Sequence, residues 1–298
     1  MGFNSMDDFI NETSNNGQTW RADWNKNFLP TTPAVAGEWH SLIRGSGNPT
    51  ADTVMNTGVT YSTVGVSFST AGLAGVYTGG DVGTSATKHI VNVSAFSAAA
   101  TSCPAVLMAI DVLGYVRCEK TTVTATISIA TASLPRYDNG AGVQAFIYNN
   151  NAVAMGAATP TLQLRYTNSA GVTGRLTPTT LPTCKTAGAN GLILYSGTGA
   201  GKYGPFMPLQ TGDAGIRFIE AIQQSVSYVS GEYTIVLCRP LYTIPLTTIG
   251  VAGDRDLMNQ VPSLPRVYDG ANIQFLLYNG VNTPTNTAYY GHIDFAWG

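Results

Sequence analysis

The sequence predicts an all-β protein made of two tandem duplicated β-sandwich domains of the jelly-roll kind, preceded by an extended N-terminal arm. Three observations predict this fold. Apolar residues alternate with polar ones at period two, turn segments rich in Gly, Asn and Asp separate these runs, and one long segment recurs further along the chain. Strand signals spaced about 8–12 residues apart are typical of sandwiches and jelly rolls.

The recurring segment is the strongest of these observations. Residues 134–150 read LPRYDNGAGVQAFIYNN and residues 264–280 read LPRVYDGANIQFLLYNG, so 8 of 17 positions are identical at an offset of 130 without a gap. Ordinary composition would give roughly one identity. The chain is therefore interpreted as an internal duplication, with Gln144 and Gln274 at equivalent positions.

Further matches extend the repeat in both directions. The aligned segments are the strand-like 104–116 and 234–246, GDVG (80–83) and GDAG (212–215), and QLRY (163–166) and HIDF (292–295). TPTTLPT, beginning at residue 177, is typical of a linker. The predicted organisation is an arm over residues 1–50, a first repeat over 51–176 and a second repeat over 177–298.

Individual segments fit this organisation. VTATISIA (123–130) alternates strictly and predicts a half-buried strand. IRFIEAIQQSV (216–226) is the main helical candidate, but its β-branched residues and the neighbouring GDAG turn favour a strand equally.

The N-terminal segment holds three of the four tryptophans and is too short to bury them alone. It must lie either on its own sandwiches or on another chain, and the sequence leaves both open. The arm interpretation predicts that its large side chains contact a partner and are buried by assembly, so that the sandwiches fold without residues 1–45. The predicted contact residues are Trp20, Arg21, Trp24, Phe28 and Trp39.

The low charge of the chain argues against nucleic-acid binding. Charged residues make up 11% of the chain and the net charge is −2, so there is no cationic field to attract nucleic acid. No run of about 18 apolar residues predicts a membrane helix. The acidic, polar N-terminus is unlike a secretory signal, which predicts synthesis in the cytoplasm.

No catalytic constellation is found, and we predict no enzymatic activity, cofactor or metal. GTGAGKYG within residues 192–204 lacks both defining ends of a phosphate-binding P-loop. Asp254 and Asp256 flank an arginine without a ladder of calcium ligands. The four cysteines form no C-x-x-C pair and are interpreted as small buried side chains, while disulfides between them stay open and cytoplasmic synthesis argues against a need for them. Arg136 and Arg266, present in both copies, are interpreted as structural partners of carboxylates such as Asp138 or Asp269.

Several segments carry a family resemblance. WRADWNKNFLPTTPAVAGEWHSLIRGSGNP, PAVLMAIDVLGYV, LPRYDNGAGVQAF, GLILYSGTGAGKYGPFMPLQTGD, PSLPRVYDGANIQFLLYNG and GHIDFAWG resemble virion structural proteins of tailed bacteriophages over nearly the whole chain. The resemblance implies a non-enzymatic head decoration (cement) protein at the capsid surface. Its implied partners are the major capsid protein and copies of itself, in a homo-oligomer such as a trimer.

Two alternatives stay open at this stage. The chain is also compatible with a tail or fibre module whose sandwich face binds a host glycan, and its 15 tyrosines favour that interpretation. Two jelly rolls in tandem can also form the shell subunit itself.

Overall fold

A computed structural model of the chain describes most of its length and is almost entirely β structure. The described residues are 3–28, 34–53, 55, 66–118, 125–130, 132–149, 161–178, 190–194, 204–225, 232–260 and 263–298. All structural statements below concern these residues.

Sixteen strands and a few short helical turns follow one another along the described chain. A helix (Met6–Ile10) and a π-helical turn (Asn11–Asn15) come first, and a second helix (Leu257–Gln260) lies in the last fifth of the chain. The strands are β1 (Thr19–Asn27), β2 (Glu38–Ser41), β3 (Gly47–Asn48), β4 (Val66–Ser67), β5 (Lys88–Ser97), β6 (Ala105–Cys118), β7 (Ala125–Ala130), β8 (Gln144–Asn149), β9 (Leu162–Asn168), β10 (Arg175–Leu176), β11 (Ile216–Gln224), β12 (Tyr233–Leu246), β13 (Gly253–Asp256), β14 (Arg266–Val267), β15 (Ile273–Asn279) and β16 (Ala288–Trp297).

These strands form three sheets. The central sheet has the order β2-β15-β6-β12-β8, and its two longest strands, β6 and β12, have 14 residues each. A second sheet has the order β13-β5-β16-β1-β3, with β14 also paired to β5, and a third has the order β10-β9-β11-β7-β4. Pairing is antiparallel except between β4 and β7.

Two hydrophobic cores lie against the central sheet. One is shared with the third sheet and includes Phe146, Tyr166 and Ile222, and the other is shared with the second sheet and includes Phe275 and Phe295. Neighbouring residues of β15 alternate between the two cores, because successive side chains of a strand point to opposite faces. The central sheet therefore contributes to both sandwiches.

The pairing of strands confirms the duplication. Gln144 of β8 pairs with Cys238 of β12, and Gln274 of β15 pairs with Ile110 of β6. The sequence alignment placed Ile110 opposite Pro240, at an offset of 130, but the strand register makes residues 110 and 238 equivalent, at an offset of 128. The two repeats therefore enter the central sheet in the same register, related by a pseudo-two-fold axis at the point where Asp111 pairs with Arg239.

A β-bulge is duplicated in the outer sheets. In the third sheet, neighbouring Arg165 and Tyr166 of β9 pair with Ala221 and Ile219 of β11, which leaves one extra residue on β11. In the second sheet, neighbouring Asp294 and Phe295 of β16 pair with Asn92 and Ile90 of β5, which leaves one extra residue on β5. An offset of 129 maps one shift onto the other, residue for residue. A bulge is a specific local feature, so this match is independent support for the duplication.

The repeats exchange strands. β6 of the first repeat pairs along its length with β12 of the second, β5 pairs with β16, and β9 pairs with β11. Each sheet therefore combines strands from residues 51–176 with strands from residues 177–298. The boundary at residue 176 remains a prediction about the repeat unit.

The N-terminal segment lies on its own chain, which corrects the prediction that assembly buries Trp24 and Phe28. Strand β1 pairs with the full length of β16, from Thr19–Ala296 to Asn27–Ala288, and β2 pairs with β15. Trp24 and Phe28 are buried in the core of the second sheet. Residues 1–45 therefore contribute a strand and core side chains to the folded chain.

The segment left open between helix and strand is β11, a strand from Ile216 to Gln224. Two β-branched residues and a phenylalanine in its first four positions favour this outcome. The predicted strand at 123–130 is described from Ala125 onward and is β7. Residues 179–183 of the predicted linker lie outside the described residues.

Candidate functional site at the junction of the repeats

A groove of about 1250 Å³ lies where the two copies of the Leu-Pro-Arg motif meet. The first copy contributes residues 135–139 and the second contributes residues 263–269, while residues 239–241 of β12 and residues 82–88 line its remaining walls. The duplicated sequence thus converges on one place near the pseudo-two-fold axis.

A buried ion pair lies at this junction, and its arginine lines the groove. Arg136 donates from Nε to Asp111 Oδ2 at 2.9 Å and from Nη2 to Asp111 Oδ1 at 2.7 Å. It also donates to the backbone oxygen of Val112 at 3.0 Å, and Asp111 Oδ1 accepts from the backbone N–H of Asn272. Both side chains are at least 93% buried. This bidentate geometry is the strong form of a charge-assisted hydrogen bond.

The partner of Arg136 corrects the sequence interpretation. Its carboxylate comes from Asp111 on β6 rather than from Asp138 or Asp269. Asp269 instead accepts hydrogen bonds from the backbone N–H groups of Val82 and Gly83. The structural role predicted for this arginine is consistent with its burial.

The second repeat has two arginines where the first has an ion pair. Arg239 is equivalent to Asp111, and Arg266 is equivalent to Arg136, so the second copy cannot form the same contact. Neither Arg239 nor Arg266 lies within ion-pair distance of a carboxylate in the described part of the chain. Arg239 donates to the backbone oxygen of Ala141 at 2.7 Å.

Each of these arginines lies over a tyrosine ring. The guanidinium carbon of Arg266 is 4.2 Å from the ring centre of Tyr268, and that of Arg239 is 5.6 Å from the ring centre of Tyr137. The two rings meet edge to face, with centres 4.7 Å apart. Tyr137 has a positive φ of 54°, and burial raises its pKa, so its hydroxyl stays protonated and donates to the backbone oxygen of Arg266.

The GDVG and GDAG turns join each repeat to the other. In the first repeat Asp81 accepts a hydrogen bond from the N–H of Gly270, and in the second repeat the backbone oxygen of Ala214 accepts one from the N–H of Gly142. Each turn therefore contacts the Leu-Pro-Arg loop of the opposite copy. Gly142 has a positive φ of 67°, a conformation that favours glycine.

Lys88 lines the groove but is committed to structure. Its ammonium group donates to backbone oxygens of Thr78 and Gly80 and lies 5.0 Å from the ring centre of Trp297. Burial lowers its pKa. The cations available to a ligand are therefore the two stacked arginines.

The predicted partner-contact residues have separate environments. Trp24 and Phe28 are buried in the chain, and Trp39 is half-buried against Tyr278. Trp20 is 42% exposed and packs edge to face on Tyr77. Arg21 donates through Nε and Nη2 to both carboxylate oxygens of Asp294. Partner contact is thus excluded for Trp24 and Phe28 in this conformation, and remains a prediction for the other three.

Other sequence features form no site in the described part of the chain. Residues 195–203 of the Gly-rich segment and Cys184 lie outside it. Asp254 lies on β13, Asp256 caps the following helix through the N–H of Met258, and Cys238 is buried and free, as its strand position predicts. No cluster of three His, Cys, Asp or Glu side chains is suited to a metal ion there, and no described helix has the length and apolarity to cross a membrane.

Comparisons with known proteins give little beyond fold class. Neither a protein family nor a curated protein matches the chain. Among solved structures, the infectious bursal disease virus VP2 subviral particle is 9% identical over 93% of this chain and 80% of that chain, with a TM-score of 0.21. The unassembled KI polyomavirus VP1 pentamer is 10% identical over 94% of both chains, with a TM-score of 0.23. These low scores do not place the chain in the fold of either capsid protein.

The sequence indicated only part of this groove. The repeated Leu-Pro-Arg motif pointed to Arg136 and Arg266, but Arg239, Tyr137 and Tyr268 carried no motif of their own. The alignment of the two copies did not single them out, because an offset of 130 places Leu241 opposite Asp111 and the equivalence of Arg239 with Asp111 appears only in the strand register.

Proposed function

We propose that this protein is a non-enzymatic structural component of a bacteriophage virion, in particular a head decoration protein that stabilises the capsid by binding the major capsid protein and further copies of itself. The resemblance of its sequence to phage virion structural proteins supports this role. In this role the chain is synthesised in the host cytoplasm and acts at the capsid surface.

The proposal rests on the positions of the exposed apolar side chains. Nine large hydrophobic side chains of the described chain are exposed, and four of them belong to the first 50 residues. These four are Met6, Ile10, Trp20 and Val35, with exposed fractions from 42% to 59%. Clusters of exposed apolar side chains favour interaction with other proteins.

Two of these side chains share one helical face. Met6 and Ile10 are four residues apart on the first helix, so they lie above one another. The helix is anchored beside this face, because Phe3 packs edge to face on Phe9 at 4.9 Å and also contacts the ring of His89. The segment is thus held on its own chain while presenting apolar groups outward.

Trp20 provides a second contact point. Its ring meets Tyr77 edge to face at 5.4 Å, and Tyr77 is 63% exposed. Exposed tryptophan and tyrosine pairs are typical of the energetic centres of protein interfaces. We infer that this pair and the Met6–Ile10 face both contact the partner.

The decisive experiment measures abundance and position in the particle. Quantitative mass spectrometry of purified virions should find copies of this protein in a simple ratio to the major capsid protein, and cryo-electron microscopy should place them on the head. A few copies confined to the tail would contradict the proposal and favour a tail module. Density for this chain in the continuous shell would favour a shell subunit.

Binding to the particle can be tested directly. Trp20→Ala and the double change Met6→Ser, Ile10→Ser should reduce binding to particles that lack the protein, while Val172→Ser is a matched control because Val172 is also 50% exposed and lies in the first repeat. Equal binding by all variants would contradict a role for the N-terminal segment.

A further inference from the structure

We propose that the groove at the junction of the repeats binds an acidic saccharide, with Arg239 and Arg266 receiving its carboxylate group. This inference does not depend on a head location, because it rests on the groove alone. It assigns a ligand class to a groove in which Arg239 and Arg266 have no carboxylate partner among the described residues.

The charges that line the groove favour an anionic ligand. Arg136, which lines the groove, is neutralised by its ion pair with Asp111. Asp269 is engaged by two backbone N–H groups, and Lys88 by backbone oxygens. Arg239 and Arg266 remain without a carboxylate among the described residues. A planar guanidinium with free N–H groups matches the geometry of a carboxylate.

The two arginines are also held in position before a ligand binds. Arg266 is held at 4.2 Å over Tyr268, and Arg239 is held over Tyr137 and by the oxygen of Ala141. Both tyrosines are partly buried and contact each other, so the platforms under the two cations are fixed relative to one another. Side chains that are already ordered lose little conformational entropy when a ligand binds.

The remaining lining favours a saccharide over an acidic peptide. Asp138 and Asn139 are exposed at the rim, together with Thr84 and Ser263. Carboxylate, amide and hydroxyl groups are suitable partners for sugar hydroxyls. An acidic peptide offers only carboxylates to this lining and would meet the carboxylate of Asp138, whereas an acidic saccharide carries several hydroxyls for each carboxylate and satisfies both kinds of lining residue.

The test uses the full chain and four named probes in calorimetric titrations at low and physiological salt. The probes are a trigalacturonate, the matching neutral trigalactose, polyglutamate and inorganic phosphate. We expect trigalacturonate to bind about tenfold more tightly than trigalactose, and this difference to shrink with added salt. Equal or tighter binding of polyglutamate would overturn the proposal in favour of an acidic peptide. Binding of phosphate as tight as that of the saccharide would indicate an adventitious ion only.

Variants locate the binding. Arg266→Gln and Arg239→Gln should each weaken trigalacturonate binding about tenfold, because each removes a charge-assisted contact. The matched control is Arg165→Gln, whose side chain is 51% exposed and pairs with Glu220 on the third sheet. Thermal melting verifies that each variant is folded, and the exposed position of Arg266 makes that variant the primary test. Unchanged affinity in both groove variants, or no saccharide binding by the parent chain, overturns the proposal.

Discussion

Arg136 binds both carboxylate oxygens of Asp111 at the point where the two repeats of the chain meet. Asp111 also pairs across the central sheet with Arg239, its own counterpart in the second repeat. Asp111 thus lies at the pseudo-two-fold axis, and at this position the first repeat has a carboxylate where the second repeat has a guanidinium. The buried Arg136–Asp111 pair of the first repeat corresponds in the second repeat to two arginines, Arg266 and Arg239, that have no carboxylate partner among the described residues.

The first prediction concerns this ion pair. Asp111→Asn should lower the free energy of unfolding by about 3–5 kcal/mol, since it leaves the buried guanidinium of Arg136 without a counter-charge. Urea denaturation followed by tryptophan fluorescence measures the change. Glu220→Gln is the control, because its partner Arg165 is half exposed and exposed pairs contribute about 1 kcal/mol or less. Similar effects of both substitutions would contradict the role assigned to Asp111.

The sequence predicted the strands better than their partners. Period-two alternation and turn residues indicate where a strand lies, and the repeat at an offset of 130 predicted equivalent positions for Gln144 and Gln274, as the register shows. Alternation says nothing of which strand lies alongside, because either copy of a duplicated strand offers the same apolar face. The exchange of β5 and β11 between repeats therefore needed the structure.

In the groove, too, the sequence did not predict which residues contact each other. Arg136 and Asp111 are 25 residues apart in the chain and meet only because the loop after β7 folds back across β6. The N-terminal strand β1 has its partner in β16, some 270 residues away. Composition identified the aromatic residues of this segment, but no local pattern could reveal that Trp24 and Phe28 complete the chain's own core.

The second prediction tests the packing of Trp24. A Cβ atom added to Gly291 would lie 2.1 Å from the backbone oxygen of Ser94 and 2.6 Å from the Trp24 ring. Gly291→Ala should therefore lower the free energy of unfolding by about 1–3 kcal/mol, as overpacking does in other cores. Gly204→Ala is the matched control, because no atom lies within 4 Å of its added Cβ. An unchanged melting temperature for Gly291→Ala would mean that Trp24 does not pack there.

The third prediction is a pH dependence that arises from Lys26. This lysine is fully buried, and its ammonium group donates to the backbone oxygens of Ile43 and Gly45. Burial lowers its pKa to about 8, against an attraction from Asp52 that raises it. Between about pH 8 and the ordinary value of 10.5, the unfolded chain binds more protons than the folded chain. The lysine therefore makes the unfolding free energy rise with pH in that window, by at most about 1.4 kcal/mol per unit.

Comparison with Lys26→Met isolates this contribution. Burial raises the pKa of the Cys238 thiol, and that group acts in the opposite direction as pH rises through its unfolded value. Both chains share the cysteine, so its effect cancels in the difference between them. Between about pH 7.5 and 9 the parent should gain stability relative to Lys26→Met. A difference that is constant over this range would show that Lys26 does not titrate there.

The last prediction separates the structural and binding roles of the N-terminal segment. Deleting residues 1–45 removes β1 and with it Trp24 and Phe28, and since truncating one buried aromatic to alanine already costs about 3–5 kcal/mol, the product should be unfolded by circular dichroism. Deleting residues 1–17 keeps β1 paired with β16 but removes Met6 and Ile10, so this chain should stay folded and bind particles more weakly. If the shorter deletion binds with full affinity, the exposed face of the first helix has no partner on the particle. If the longer deletion folds with its sheets intact, then the pairing of β1 with β16 contributes little to stability and the segment behaves as the detachable arm that the composition first indicated.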